Sequence, residues 1–393
     1  MLILKKIGCR AFQFAFRLAT PFLPYREPNI LSSCEAVGDA LAKENIRSVL
    51  IVSRRLPDSV RASLEQKEIS YVIYDKTKPN PTVDNVEEGL MLYNENHCSA
   101  IIAIGGGSPI DCAKAIGARV AYPKKSVDRL GGVLKITKKL PTLVAIPTTA
   151  GTGSEVTLAA VISEPQRHKK YALMSFPLIP NYAVLDARLT YSLPPHLTAT
   201  TGMDALTHAV EAYIGHSTTQ KSRRLALKAT QMIFENIEKA YTNGNDHTAR
   251  ENMLLASYNA GIAFSISYVG YIHAIAHSLG GRYDTPHGLA NAVIMPYVLE
   301  AYGSSAHKSL HELAVAVGVA KESYTHEAGA RAFIQAIKDM NARMNIPSKL
   351  EFINKADINE LARHAEREAN PLYPVPRLMS AAELEKIYYM IKQ

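Results

Sequence analysis

The chain has 393 residues, of which 47% are hydrophobic and 20% charged, a composition typical of a folded protein of two or three domains and not of a disordered or fibrous one. Its net charge is +8, but the first 26 residues contain five basic residues and no acid, so the remainder carries only +3. Because a nucleic-acid-binding domain spreads basic charge over a folded surface, this distribution argues against a nucleic-acid partner.

The N-terminal segment, residues 1–28, is basic and rich in Leu, Ile and Phe. It has no small-residue cleavage site after a compact apolar core, which argues against a secretory signal. Three interpretations stay open: a helix docked on its own protein or on a second subunit, an amphipathic helix at a membrane surface, and an organellar transit peptide. Apolar residues at helical spacing are usually core, so we expect the docked helix, with weak membrane association of this segment as the alternative.

The cysteines and the hydrophobic runs indicate the cellular compartment and whether the chain spans a membrane. Cys9, Cys34, Cys98 and Cys112 form no CxxC pair and no disulfide framework, which favours a reducing, cytoplasmic environment. Charged residues or prolines interrupt every hydrophobic run before it reaches about 18 residues, so no membrane-spanning helix is predicted.

Short apolar runs alternate with helix-length spacers between about residues 45 and 190. Such runs predict parallel strands buried on both faces. The clearest are Ser48–Val52, Ser70–Tyr74, Ala100–Ile104 and Thr142–Ile146. Two more, Leu158–Ile162 and Tyr182–Asp186, are expected to extend the same sheet. We therefore predict an α/β, Rossmann-like nucleotide-binding domain over residues 29–194.

Two loops that follow predicted strands have the composition of a phosphate site. The first contains Gly106, Gly107 and Ser108 before a helical pattern, and the second contains Thr148, Thr149 and Thr152. Glycines allow an anion to approach the backbone, and a helix start supplies N–H groups. Tight turns need glycine with or without a ligand, but two such loops at strand ends favour a nucleotide site.

From about residue 195 the pattern becomes helical, and we predict an all-α domain over residues 195–393. It contains two i,i+4 pairs, Asp204 with His208 and His273 with His277, followed by His287 after Pro286. On a helix, residues four apart share one face. One acid and up to three imidazoles could converge on Fe(II), Zn(II) or a similar ion, whereas separately satisfied core histidines are the alternative.

In these residues the chain resembles the iron-containing (group III) metal-dependent alcohol dehydrogenases, which share a fold with dehydroquinate synthase and glycerol dehydrogenase. The resemblance covers nearly the whole chain. It is carried by five blocks in family order: GGGSPIDCAK, PTTAGTGSE, TGMDALTHAVEAY, HAIAHSLGGRYDTPHGLANAV and NPLYPVPRLMS.

The resemblance implies roles for individual residues. The implied metal ligands are Asp204, His208, His273 and His287, and His277 is implied as a catalytic residue close to the metal and the nicotinamide. The implied cofactor contacts are Gly106, Gly107, Ser108, Thr148, Thr149, Thr152 and Lys170. The implied reaction is hydride transfer between nicotinamide and a metal-bound primary alcohol or aldehyde, in a homodimer or larger homo-oligomer.

One departure from the family pattern concerns the cofactor. Where many members have Asp after the first strand, this chain has Ser53 followed by Arg54 and Arg55. Aspartate repels a 2′-phosphate and arginine can pair with it, so we expect NADP in preference to NAD. Solvated loop arginines are the alternative.

The substrate is constrained less sharply. The resemblance places Ala159, Phe264 and Val269 on the substrate pocket, and all three are apolar, which favours a simple alcohol or aldehyde. The alternatives are a glycerol or polyol dehydrogenase and a dehydroquinate synthase-like lyase. The set of one Asp and three His argues against the former, and the apolar surroundings of the metal motifs argue against the latter.

Overall fold

The computed structural model describes residues 3–167 and 169–393. The chain divides into two compact units. One is Pro24–Ser192, and the other is Leu193–Gln393 together with the N-terminal residues up to Leu23. The basic N-terminal segment therefore packs largely with the C-terminal unit.

The first unit contains a parallel sheet of six strands. In sheet order these are β1 (Asn29–Leu31), β9 (Tyr182–Val184), β6 (Thr142–Pro147), β4 (Ala100–Gly105), β2 (Ser48–Val52) and β3 (Ser70–Tyr74). The helices of this unit are α2 (Val37–Lys43), α3 (Asp58–Glu65), α4 (Val83–Glu95), α5 (Gly107–Ala121) and α6 (Val127–Leu130). Leu50 and Val52 belong to one hydrophobic cluster and Val49 and Ile51 to another, so β2 is covered on both faces as its continuous apolar run predicts.

A second, three-stranded sheet corrects one sequence prediction. The run Leu158–Ile162 does not extend the main sheet, because β7 (Ala159–Glu164) pairs antiparallel with β8 (Lys169–Met174). β5 (Gly132–Val133) completes this smaller sheet by pairing parallel with β8. β8 begins five residues after the end of β7, and pairing between segments so close in sequence costs less loop-closure entropy than a return to the main sheet.

The second unit is helical. Its helices are α1 (Ile3–Ala19), α7 (Pro195–Ile214), α8 (Gln220–Thr242), α9 (His247–Ser267), α10 (Tyr271–Tyr283), α11 (His287–Tyr302), α12 (Ser304–Ala316), α13 (His326–Arg343), α14 (Ile358–Ala369) and α15 (Ala381–Ile391). Pro195 is the first residue of α7, where the missing N–H of proline costs nothing. Among the described residues no single helix has the length and hydropathy of a membrane span; α9 and α10 reach them only together, across a bend of 100°.

Candidate metal and nucleotide sites

Three helices of the second unit bring the predicted metal ligands together. Asp204 and His208 lie one turn apart on α7, and His273 lies on α10. His287 is the first residue of α11, because Pro286 precedes the helix as its N-cap. Gly288 allows α11 to approach α7 closely, since a Cβ there would lie 2.3 Å from the carbonyl oxygen of Thr200.

The four side chains have the geometry of a metal site. One potential ligand atom from each of Asp204, His208, His273 and His287 lies within 4.8 Å of the others. Asp204 Oδ1 is 3.5 Å from His287 Nε2 and 4.0 Å from His273 Nε2. A carboxylate with three neutral imidazoles is a donor set that suits Fe(II) or Zn(II). These residues therefore fit a divalent ion of this kind.

Glu211 is the hydrogen-bond partner of His273 and was not identified from the sequence. Its carboxylate lies 2.7 Å from Nδ1 of His273 and accepts from the backbone N–H groups of Gly270 and Ile272. Burial lowers the pKa of His273 well below its usual value, which keeps the ring neutral. The tautomer that donates Nδ1–H to Glu211 is the one that presents the Nε2 lone pair to Asp204 and His287, as a metal ligand must.

Asn291 also faces the centre of the cluster. Its Nδ2 donates to Asp204 Oδ1 at 2.7 Å and lies 3.1 Å from Nε2 of His287 and 3.4 Å from Nε2 of His273. Three acceptor atoms thus converge on a single donor, which is an arrangement that also suits a cation. Asn291 is four residues after His287, and this i,i+4 spacing is a sequence signal that could have identified it.

His277 stands beside the cluster with partners of its own. Its ring stacks on that of His287, with 5.2 Å between the centroids. Its Nδ1 lies 2.6 Å from Oε1 of Glu368, which also accepts from the hydroxyl of Tyr373 at 2.8 Å. Burial alone would raise the pKa of Glu368, but the charge and hydrogen bond of His277 and the bond from Tyr373 outweigh it and lower the pKa. The carboxylate therefore orients the His277 ring.

The residues predicted to form the substrate pocket divide between the two units. Phe264 stacks on His208 with 4.1 Å between ring centroids and so borders the cluster with an apolar surface. Val269 lies in the turn between α9 and α10, and Ala159 is the first residue of β7 in the other unit.

In the α/β unit, the two predicted phosphate loops lie side by side. They follow adjacent parallel strands, β4 and β6, and Thr148 N donates to Gly105 O at 2.9 Å. A Cβ on Gly107 would lie 2.9 Å from a methyl carbon of Thr152. Gly105 has φ +152°, which favours glycine. Gly106 caps α5 without a side-chain hydrogen bond, so first-turn N–H groups of α5 can face an anion.

The remaining predicted cofactor residues lie elsewhere in this unit. Arg54 is exposed two residues after β2, the strand next to β4. Lys170 is on β8 of the smaller sheet, where Nζ lies 3.4 Å from Oδ1 of Asn80. Ser108 belongs to the first turn of α5.

A buried polar group supports the loops. Asp111 on α5 accepts from Ser154 Oγ at 2.6 Å and from the backbone of Val161 at 2.9 Å. Lys114 is buried and donates to Thr157 and Ala159, and burial lowers its pKa to about 8. These contacts attach the 148–154 loop to α5, the helix that carries Gly107 and Ser108.

Comparison with known proteins identifies relatives over most of the chain. A family model described as iron-containing alcohol dehydrogenase matches residues 31–187, and one for the C-terminal part of the Fe-containing alcohol dehydrogenase family matches residues 198–391. The chain is 38% identical over 331 residues to alcohol dehydrogenase 4 of Schizosaccharomyces pombe, covering 82% of this chain and 77% of that protein. It is 36% identical over 333 residues to 1,3-propanediol dehydrogenase of Citrobacter freundii, covering 84% and 86%. A crystal structure of 1,3-propanediol oxidoreductase is similar with a TM-score of 0.89 and 33% identity, covering 93% of this chain and 98% of that chain.

Proposed function

The chain belongs to the iron-containing alcohol dehydrogenase family, and from this premise we propose that it interconverts a small apolar primary alcohol and its aldehyde, with NADP as the preferred cofactor. The protein is a metal-dependent alcohol dehydrogenase or aldehyde reductase. The observation that carries the proposal is the convergence of Asp204, His208, His273 and His287, with ligand atoms within 4.8 Å of one another.

The proposed mechanism assigns a task to each group of residues. Asp204, His208, His273 and His287 would hold Fe(II) or Zn(II), and Glu211 would keep His273 in the tautomer that can bind it. When bound, the metal supplies Lewis acidity to the substrate oxygen and the nicotinamide exchanges hydride with the substrate carbon. His277, with its Nδ1–H directed at Glu368, would take up or return the hydroxyl proton at Nε2.

Apolar surroundings support the assignment of substrate class. Phe264 covers one face of His208 and offers no hydrogen-bonding group to additional hydroxyls. A polyol would lose hydration there without replacement, whereas a short alkyl chain would gain contact. A simple alcohol or aldehyde is therefore favoured over glycerol.

Residues 53–55 support the assignment of NADP. Arg54 is exposed at the carboxyl end of β2, beside the strand that leads into Gly106 and Gly107. In doubly wound sheets the ribose lies in this region, and an arginine there can pair with a 2′-phosphate. The cofactor phosphates would lie on Gly106, Gly107 and Ser108 with Thr148, Thr149 and Thr152 beside them, and Lys170 is proposed at the nicotinamide end. The four cysteines are unpaired, buried thiols, which is compatible with the proposed cytoplasmic location.

The test is oxidation of NADPH and NADH with a panel of short aldehydes and glyceraldehyde, on metal-free protein and on protein reconstituted anaerobically with Fe(II) or Zn(II). We expect turnover that requires the metal, is fastest with unsubstituted aldehydes and is faster with NADPH. Arg54→Asp should reverse the cofactor preference, whereas Arg47→Asp, a matched change at the other end of β2, should leave it unchanged. An NADPH-to-NADH rate ratio that is the same in wild type and Arg54→Asp would contradict the NADP assignment. Turnover that does not require a metal would contradict the proposed metal site.

A further inference from the structure

Helix α1 has one face packed on its own unit. Cys9 and Gln13 are buried on this face, and Thr20, directly after the helix, is buried as well. Gln13 Nε2 donates to the carbonyl oxygens of Pro371 and Tyr373, at 3.2 and 2.7 Å. Arg10 donates to two carbonyl oxygens of the same segment, those of residues 375 and 376, at 2.8 and 2.9 Å. These bonds fix the rotation of the helix about its axis.

The opposite face of α1 is an exposed apolar stripe. Its members are Leu4, Ile7, Ala11, Phe14 and Leu18. The spacing of three and four residues places all five on one side of a helix. Leu4 is 83% exposed, Phe14 62% and Leu18 59%. The hydrogen bonds of the buried face prevent α1 from rotating to bury this stripe against its own unit. Phe22, just after the helix, is also exposed and extends the stripe.

Charge indicates what covers the stripe. α1 contains Lys5, Lys6, Arg10 and Arg17 and no acidic residue. Lys6 and Arg10 also line a groove of about 580 Å³ with Arg377, Ile7 and Leu378. Two copies of α1 paired through the stripe would bring like charges together, which disfavours self-association. An anionic surface with an apolar interior matches both the basic residues and the stripe.

We infer that the exposed face of α1 binds an anionic lipid surface, with the helix axis parallel to it. Leu4, Ile7, Phe14 and Leu18 enter the boundary between headgroups and acyl chains, and the exposed side chains of Lys6 and Arg17 meet lipid phosphates. In the groove beside α1, Lys6 offers an ammonium group to a headgroup, whereas Arg377 is already paired with Glu383 at 2.6 Å. This property is independent of the metal and cofactor assignments.

Vesicle flotation of the full-length, metal-loaded protein tests this inference. Vesicles of phosphatidylcholine alone and of phosphatidylcholine with phosphatidylglycerol are compared at low and high ionic strength. We expect binding only to the anionic vesicles, weakened by salt. Phe14→Ser combined with Leu18→Ser should reduce the partition coefficient by at least about tenfold, and Arg17→Gln by about fivefold.

The matched control is Met91→Ser, which removes a similarly exposed apolar side chain from α4 and should bind like wild type. Circular dichroism and aldehyde reduction report whether each variant is folded. Equal binding to neutral and anionic vesicles, or binding that survives the double substitution, would overturn the inference. The inference would also be overturned if the protein did not bind vesicles but formed dimers at high concentration, and if the double variant abolished these dimers. The stripe would then bind a second copy of the chain.

Discussion

At the scale of single residues, the histidines of the cluster divide by their partners. His273 and His287 present Nε2 within 4.0 Å of the Asp204 carboxylate, whereas His277 has its Nδ1 on Glu368. We therefore expect His273→Ala and His287→Ala to lose bound metal and activity together. His277→Ala should retain metal while kcat falls by about 10²–10⁴. Metal content after desalting, measured by elemental analysis beside kcat, separates the two behaviours.

The control for these substitutions is His196→Ala, since His196 is an exposed histidine in the first turn of α7. It should change neither metal content nor rate. Equal metal loss from all three cluster variants would show that His277 is a ligand and would remove its proposed role in proton transfer.

Glu368 gives a second residue-scale prediction. Its carboxylate is hydrogen-bonded to His277 and to Tyr373. Glu368→Gln keeps the size and shape of the side chain but removes its negative charge, which weakens the hydrogen bond that orients the His277 ring. We expect kcat to fall about ten- to hundredfold with unchanged metal content and little change in KM. Steady-state kinetics on Glu368→Gln, Glu368→Asp and the control Glu360→Gln, an exposed position on α14, test this. An unchanged kcat in Glu368→Gln would remove Glu368 from the mechanism.

Glu155 predicts a pH dependence of stability. Burial raises its pKa from 4.5 to about 7, and its Oε1 has no hydrogen-bond partner among the described residues. Because the folded state holds the proton more tightly, its contribution to stability is present below pH 4.5 and is lost as the pH rises through 7. As the pH rises from 5 to 8, the unfolding free energy of wild type should therefore fall relative to that of Glu155→Gln, by about 3 kcal/mol at most.

Denaturant unfolding of wild type and Glu155→Gln at both pH values measures this difference, with the exposed Glu95→Gln as the control for loss of a carboxylate. The same difference in unfolding free energy at pH 5 and pH 8 would mean that Glu155 is ionised in the folded protein across this range.

The sequence predicted the cluster but not its supporting residues. Asp204, His208, His273 and His277 were recognisable because their spacing of four is a property of a single helix. Glu211 and Glu368 support histidines 62 and 91 residues away, and no local pattern contains that pairing. The role of each carboxylate depends on how helices pack, which periodicity does not specify.

At the scale of elements, the approach of α11 to α7 depends on Gly288. A Cβ at this position would lie 2.3 Å from a backbone oxygen of α7, so Gly288→Ala must separate the helices or bend them. We expect a loss of about 1–3 kcal/mol in unfolding free energy and weaker metal binding, because His287 is the neighbouring residue. Gly281→Ala on α10 is the matched control, since a Cβ there meets no atom within 4 Å. Equal metal affinity in both variants would contradict this account.

The strands show where local patterns are sufficient. Ser48–Val52 and Ser70–Tyr74 occur at the predicted bounds. β2 is buried along nearly its whole length, as a strand covered on both faces requires, whereas β3 is at the edge of the sheet and only Tyr74 in it is buried. The run that became β7 has the same composition, yet it belongs to the smaller sheet. Composition indicates that a segment is a strand, whereas its partner depends on chain connectivity. β1 has only three residues and two of them are exposed, so it gave no hydrophobic signal.

At the scale of the whole molecule, the two proposed sites belong to different compact units. The cluster joins α7, α10 and α11 of the helical unit, and the glycine and threonine loops belong to the α/β unit. A ligand stabilises the elements that it connects, by about 4 kcal/mol when its concentration is a thousand times Kd. Each cofactor should therefore protect a different part of the chain from unfolding.

Hydrogen exchange measured by mass spectrometry shows which segments of the intact protein each ligand protects. Removing the metal with a chelator should speed exchange in α7, α10 and α11 and leave β2 and β4 unchanged, because three separate helices lose their common ligand. Adding NADPH to the metal-free protein should instead slow exchange in the first turn of α5 and in the 148–152 loop. NADH at the same concentration should protect less if Arg54 binds the 2′-phosphate. Protection by NADPH confined to α10 and α11 would place the nucleotide outside the α/β unit and contradict the assignment of both loops.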